Sequence, residues 1–275
     1  MNAHLFDDST RAPNARQIWG IAVVAAIAFA FFVLFKSAIA AEPADVIQRI
    51  KGSVVAVGTF EKSRNPAFAF HGTGFVVGDG TLVATNAHVI PQILDSERRE
   101  SLAIALPSPT PTSPGTVRLA KIFVIDDEHD LALIRIEGAR LPPATLGDST
   151  RVREGQSCLF TGFPIGTVLG LFPATHRAMV SAVTPIAIPK TTANDLNARA
   201  IKQLSTSVYP ILQLDATAYP GNSGSPLYDS ATGEVLGVIN MVFVKGTRES
   251  ALSQPSGITY AIPVQPLKDL LQSNK

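Results

Sequence analysis

Residues 218–228 read "AYPGNSGSPLY". Two glycines, two prolines, an asparagine and two serines fall within eleven positions. Such a run bends sharply, because Gly reaches positive φ and Pro fixes its own. Turn chemistry alone does not separate a surface loop from a bend that holds out a nucleophilic serine. A nucleophile needs a base, a group that orients the base, and donors for a developing oxyanion. The rest of the chain must supply them.

On both sides of this bend the chain is built of short apolar runs. They are "SVVAVGTF" (53–60), "TGFVV" (73–77), "TLVAT" (81–85), "VRLAKIFVI" (117–125), "LALIRI" (131–136), "SCLFTGF" (157–163), "MVSAVTPIAI" (179–188), "ILQLDA" (211–216), "EVLGVINMVFV" (234–244) and "GITYAI" (257–262). Turn residues separate most of them. Asp79-Gly80 in "VVGDGTLVA" (76–84) is a strong hairpin signal. Many short strands and few helical stretches predict an all-β barrel or sandwich. A short amphipathic helix is expected after Pro266. Residues 107–115 are a Pro-rich loop, and 191–207 carry helical spacing at Leu196, Ala200 and Leu204.

The chain has 275 residues and a net charge of +1, with 46% apolar and 16% charged residues. The near-neutral balance gives no reason to expect a nucleic-acid partner. Cys158 is the sole cysteine, so no intrachain disulfide forms, and it reads as a small buried residue. Residues 18–35, "IWGIAVVAAIAFAFFVLF", carry no charge. As a helix they would span about 27 Å, just short of a hydrocarbon core. Arg11 and Arg16 place the preceding 1–17 segment in the cytoplasm by the positive-inside rule. Two readings stand. One is an uncleaved single-pass inner-membrane anchor followed by a 36–45 linker, which the length favours. The other is a signal peptide cleaved after Ala40, at the Ala38-x-Ala40 pattern, releasing a soluble form. Both put the β domain outside the cytoplasm, on the periplasmic side.

Candidates for the base and its orienter lie upstream. Of five histidines, only His88 follows a strand, in "ATNAHVI" (84–90). Asp130 opens the strand "LALIRI", and a carboxylate at a buried strand end needs a partner. Ser223 lies in "PGNSGSP". Alone, each has a bland reading as a structural histidine, a turn cap or a turn serine. The order His, Asp, Ser is one of the chain orders in which the serine triad occurs.

Taken together, "GTGFVV…LVATNAHVI", "DLALIRI", "LQLDATAYPGNSGSPL" and "GITYAIP" resemble the HtrA-like (Deg-type) serine proteases of the trypsin fold. The resemblance covers residues 46–272. It implies two packed six-stranded antiparallel β-barrels, about 46–140 and about 150–262, with the active site between them. It implies His88 as base, Asp130 as its orienter and Ser223 as nucleophile. The N–H groups of Gly221, Ser223 and Asn222 would form the oxyanion hole, and neither metal nor cofactor is called for. Protein or peptide substrates, a membrane partner through the N-terminal helix, and a homo-oligomer as one open assembly follow. Thr217, six residues before Ser223, would lie at the base of the specificity pocket. Asn240, Met241 and Val242 would border it, with Asp215 a weaker acidic alternative. An uncharged pocket implies cleavage after small or medium apolar residues. The chain departs from many relatives in stopping about fifty residues after Ser223, so no peptide-binding PDZ domain is expected. The loop 162–180 is bulky and carries His176. The rival function is a catalytically silent binding or chaperone-like module on the same fold.

Overall fold

The computed structural model describes Trp19 and residues 42–107, 115–164, 170–185, 209–241 and 257–274. The remainder of the 18–35 segment, most of the Pro-rich loop, the 191–207 segment, residues 165–169 of the bulky loop, and Val242 lie outside the described residues.

Among the described residues, twelve strands form two closed antiparallel barrels. The first contains β1 (Val54–Phe60), β2 (Phe68–Val77), β3 (Leu82–Thr85), β4 (Ser101–Ala105), β5 (Val117–Asp126) and β6 (Leu131–Ile136). The second contains β7 (Ser157–Gly162), β8 (Ala174–Pro185), β9 (Pro210–Asp215), β10 (Pro226–Asp229), β11 (Val235–Asn240) and β12 (Ile258–Pro263). The orders are β1-β2-β3-β6-β5-β4 and β10-β11-β12-β9-β8-β7. The expected pair of six-stranded barrels is present. The predicted hairpin joins β2 to β3, pairing Val77 with Leu82. Gly78 and Gly80 turn there at φ +63° and +90°.

The apolar runs reflect burial on both strand faces. Val55, Val57, Val76, Val83, Ile104 and Ile134 fill the interior of barrel one. Their strand neighbours Val54, Ala56, Phe75, Leu131 and Leu133 face outward. They join Leu159, Tyr228, Val235, Val238 and Ile262 of barrel two in one cluster. That shared seam is the junction of the barrels. Phe160, Val180, Leu212, Leu214, Leu227 and Ile239 fill barrel two.

Among the described residues, two short α-helices flank the seam. Helix α1 (Pro43–Lys51) starts with proline in its first turn and buries Val46 and Ile50. It therefore occupies the end of the stretch expected as a linker. The Arg49 guanidinium donates to the Thr232 carbonyl at 2.6 Å, which ties α1 to the β10–β11 turn. Helix α2 (Val264–Ser273) buries Val264 and Leu267. It begins two residues before Pro266 rather than after it. The first N–H groups of a helix have no intrahelical acceptor, so proline costs little in the first turn.

Candidate active site

Asp130 sits in the turn before β6 at φ +52°, a region Asp tolerates better than most residues. Its neighbours hold it there. Ala87 N–H and Asn86 Nδ2 both donate to the Asp130 carbonyl, each at 3.1 Å. The carboxylate then faces the 3-10 turn Ala87–Val89 that follows β3. Oδ1 accepts from the His88 backbone N–H at 2.9 Å, and Oδ2 lies 2.6 Å from His88 Nδ1. With Nδ1–H directed at a carboxylate, neutral His88 keeps a lone pair on Nε2. Nε2 has no partner among the described residues.

A third contact comes from barrel two. Asn240, at the end of β11, donates its amide to Asp130 Oδ2 at 2.8 Å. Sequence reasoning placed Asn240 beside a substrate pocket. It is fully buried and braces the carboxylate that faces His88. No sequence signal marks this bond, which joins residues 110 positions apart.

Ser223 lies in the β9–β10 turn, 7% exposed. Gly221 and Gly224 flank it at φ +103° and +85°. A Cβ at Gly221 would strike the Phe163 carbonyl, and one at Gly224 would strike the Thr73 carbonyl. Glycine is therefore required at both. Strand β2 brings this turn beside the His88 turn. Thr73 N–H donates to the Ser223 carbonyl at 2.8 Å. A Cβ on Gly72 would lie 2.7 Å from Val89 and 3.1 Å from the Ser223 carbonyl.

The backbone donors of the turn divide cleanly. Asn222 N–H donates to Tyr219 O, Gly224 N–H to Ile239 O and Ser225 N–H to Asn222 O, at 2.9, 2.9 and 3.0 Å. Asn222 is thus corrected: its N–H is already spent inside the turn and is not available to an oxyanion. The N–H groups of Gly221 and Ser223 have no acceptor among the described residues.

Of the other predicted residues, Thr217 is half-buried between Ala216 and Ala218, which are both buried. Thr259 Oγ1 donates to Ala216 O and accepts from Ala218 N–H, bracketing Thr217. Met241 is half-buried against the barrel-two core. Asp215 is exposed in register with Met179 and Ile258, which are exposed as well. Its position among exposed neighbours turns it away from the barrel interior.

Two histidines outside this group have defined settings. His176 stacks on Phe160 at 4.9 Å, with its ring 6.0 Å from Tyr219. Burial pushes its pKa down, so it is neutral near pH 7. His129 Nδ1 lies 2.7 Å from Asp126 Oδ2, and its ring lies 4.7 Å from that of Tyr209. The hydrogen bond to Asp126 raises the His129 pKa against a smaller opposing effect of burial. Burial pushes the Cys158 thiol up to about 12, which leaves it inert as a nucleophile. Among the described residues, no group of three His, Cys, Asp or Glu side chains is placed to hold a metal ion.

A family model described as "Trypsin-like peptidase domain" matches residues 72–238. Among curated relatives, the chain is similar to a "Probable periplasmic serine endoprotease DegP-like" of Halomonas elongata. They are 28% identical over 72% of this chain and 34% of that protein. It is also similar to "Serine protease HTRA1B" of Danio rerio, 31% identical over 83% of this chain and 40% of that protein. The chain spans about a third of the length of the DegP-like relatives it matches. Among solved structures, it matches "HtrA-type protease AlgW with decapeptide" at a TM-score of 0.60 and 24% identity, over 84% of this chain and 67% of that one. It matches "Crystal structure of Deg5" at a TM-score of 0.57 and 25% identity, over 82% and 90%.

Proposed function

The chain belongs to the family of trypsin-like peptidase domains, and from that premise we propose that it is an extracytoplasmic serine endopeptidase of the HtrA-like group acting on envelope proteins. The observation that carries the reading is the 2.6 Å contact of His88 Nδ1 with Asp130. Beside it stands a serine turn whose Gly221 and Ser223 N–H groups are unclaimed among the described residues.

In this reading the Ser223 hydroxyl attacks the scissile carbonyl carbon and passes its proton to His88 Nε2. Asp130 holds the imidazole tautomer and stabilises the imidazolium that forms. The carbonyl oxygen gains negative charge and accepts hydrogen bonds from the Gly221 and Ser223 N–H groups. The tetrahedral species collapses, His88 protonates the departing amine, and an ester on Ser223 remains. Water, deprotonated by His88, hydrolyses that ester and restores the enzyme.

The half-buried, uncharged Thr217 and the partly buried Met241 favour cleavage after Ala, Val or Leu. A mixture-based peptide library should show that preference with loose selectivity, because one methylene in an apolar pocket changes rates only about 10- to 200-fold. Dominant cleavage after Lys or Arg would reject this pocket.

Residues 18–35 serve as the anchor, 36–45 lead out of it, and 46–272 form the protease domain. Among the described residues no helix is long and apolar enough to cross a membrane. The anchor therefore rests on the uncharged run alone. The DegP-like relatives, named as periplasmic, support the extracytoplasmic placement. An intact N-terminus on membrane-bound protein is the expected result, and a soluble form starting at Ala41 would replace the anchor by a cleaved signal.

The deciding experiment is labelling of the full chain with a fluorophosphonate probe, followed by peptide mapping. The expected adduct is on Ser223. Ser223→Ala should abolish labelling and lower peptide hydrolysis by several orders of magnitude while folding is kept. Folded protein that never labels, or a Ser223→Ala variant of full activity, would overturn the assignment.

A further inference from the structure

Thr73, in β2, is fully buried, and each of its polar groups is engaged. Its N–H donates to the Ser223 carbonyl at 2.8 Å. Its carbonyl accepts from Thr85 Oγ1 at 2.7 Å. Its hydroxyl donates to the Gly221 carbonyl at 2.7 Å and accepts from the Phe163 N–H at 3.1 Å. Thr73 belongs to barrel one, whereas Gly221, Ser223 and Phe163 belong to barrel two or its turns. A β-branched side chain in a buried strand needs no hydroxyl for packing, and valine has nearly the same shape. Here the hydroxyl is used entirely on the backbone of the other barrel.

The consequence follows from peptide planarity. In a trans peptide the carbonyl and the N–H point in opposite directions, so fixing one group aims the other. The Gly221 carbonyl is held by Thr73 Oγ1, the Asn222 carbonyl by Ser225 N–H and the Ser223 carbonyl by Thr73 N–H. Fixing the Asn222 carbonyl aims the Ser223 N–H. Fixing the Gly221 carbonyl, together with the Asn222 N–H bond to Tyr219, sets the Gly221–Asn222 peptide plane, which joins the residue carrying one free N–H to the residue before the other. Phe163 joins the same arrangement. Its carbonyl lies where a Gly221 Cβ would be, and its N–H bonds to the Thr73 hydroxyl. The space is closed from below. A Cβ at Gly162 would strike Ser225 Oγ and lie 2.8 Å from Asn222 Oδ1 and 2.9 Å from Thr73 Oγ1.

Resting on the endopeptidase reading, we propose that Thr73 is a positioning residue whose hydroxyl, reaching across from barrel one, holds the 221–223 turn with its two free N–H groups aimed at the substrate oxygen. Thr73 touches no reacting atom and acts only through that turn.

The test compares Thr73→Val with Thr73→Ser in the full chain, using a peptide substrate, a peptide boronate that mimics the tetrahedral species, and the cleaved product peptide. Displacing the turn by about 1 Å should lower kcat about 100-fold in Thr73→Val, with KM little changed. Boronate affinity should fall alongside kcat, while product-peptide affinity stays level. Thr73→Ser restores the hydroxyl and should recover most of both losses. A residue that merely glued the barrels would lower the melting temperature without this split. Should the valine variant not fold, Thr73→Cys, close to serine in shape but a weak donor, carries the same comparison. The proposal is overturned if a folded valine or cysteine variant keeps kcat within about threefold of the unaltered chain. It is also overturned if serine is no better than valine. An unaltered chain that neither cleaves the peptide nor labels at Ser223 overturns the endopeptidase reading and this inference with it.

Discussion

Asn240→Asp tests the bond between β11 and Asp130 most directly. The exchange replaces one amide nitrogen by oxygen and leaves the shape of the side chain unchanged. Asn240 is fully buried, and its nitrogen lies 2.8 Å from Asp130 Oδ2. After substitution two carboxyl oxygens face each other. Were both groups ionised, their repulsion at that separation would be about 6 kcal/mol at an effective dielectric constant of about 20. Protonating one carboxyl at pH 7, from an ordinary pKa of about 3.9, costs only about 4 kcal/mol. Protonation is cheaper, so the pair shares one proton in the folded state.

The native variant then binds a proton that the unfolded chain lacks above the ordinary carboxylate range. Its stability relative to the unaltered protein must fall as pH rises, by about 1.4 kcal/mol per unit. The deficit should be about 4 kcal/mol at pH 7 and about 1.5 kcal/mol at pH 5, and it should vanish near pH 4. Urea unfolding of both proteins, followed by circular dichroism at pH 5, 6 and 7, measures it. A deficit that does not change between pH 5 and pH 7 would refute the reasoning. So would one below about 1 kcal/mol at pH 7, where only a single neutral hydrogen bond's worth would be missing. Peptide hydrolysis should fall in the same samples, because Asp130 orients His88 in the proposed mechanism.

Gly224→Ala should destabilise the fold by about 2–5 kcal/mol, combining left-handed strain at φ +85° with a Cβ driven onto the Thr73 carbonyl. A melting temperature unchanged from that of the unaltered protein would contradict the turn geometry. The His129–Asp126 pair should give a pH-dependent contribution to stability. The His129 pKa is raised, so its share is complete below the ordinary histidine value of about 6.5 and is lost as pH rises through the folded value. Asp126→Asn should flatten that decline in thermal melts above about pH 6.5, and an unaltered slope would show that the pair does not titrate as assigned.

Most strands were legible because they are short apolar runs between turn residues, and "LALIRI" coincides with β6. Two strands escaped. In β4, "SLAIA", two alanines weaken the β signal. In β10, "PLYD" follows directly on the turn residues of 218–225 and reads as their continuation. For β8 the run was placed from Met179, whereas the strand begins at Ala174, where Thr175, His176 and Arg177 hide its apolar pattern. At the candidate site, no local feature singled out His88, Asp130 or Ser223, since each alone reads as a structural or turn residue; their order along the chain, at the ends of apparent strands, made them legible as a set. The roles of Asn240 and Thr73 were not legible. Both act through bonds to residues more than a hundred positions away, and nothing local distinguishes them from pocket or packing residues.

Those long-range bonds explain how two barrels can hold one chemical geometry. The seam between the barrels is apolar, and burial of apolar area is non-directional. It drives the barrels together but does not fix their relative position to the fraction of an ångström that proton transfer from Ser223 to His88 would demand. Direction must come from hydrogen bonds that cross the seam, and these gather at the site. Asn240 of barrel two braces Asp130 of barrel one. Thr73 of barrel one binds the carbonyls of Gly221 and Ser223 and the N–H of Phe163 in barrel two. Each side therefore positions a group that the other side supplies. If burial alone set the geometry, Asn240 and Thr73 could be replaced by apolar isosteres with no effect on turnover. If the crossing bonds set it, Asn240→Leu and Thr73→Val should each reduce kcat, and the double variant should lose less than the product of the two, because both act on the same alignment. A multiplicative loss would instead show that the carboxylate brace and the turn anchor work independently.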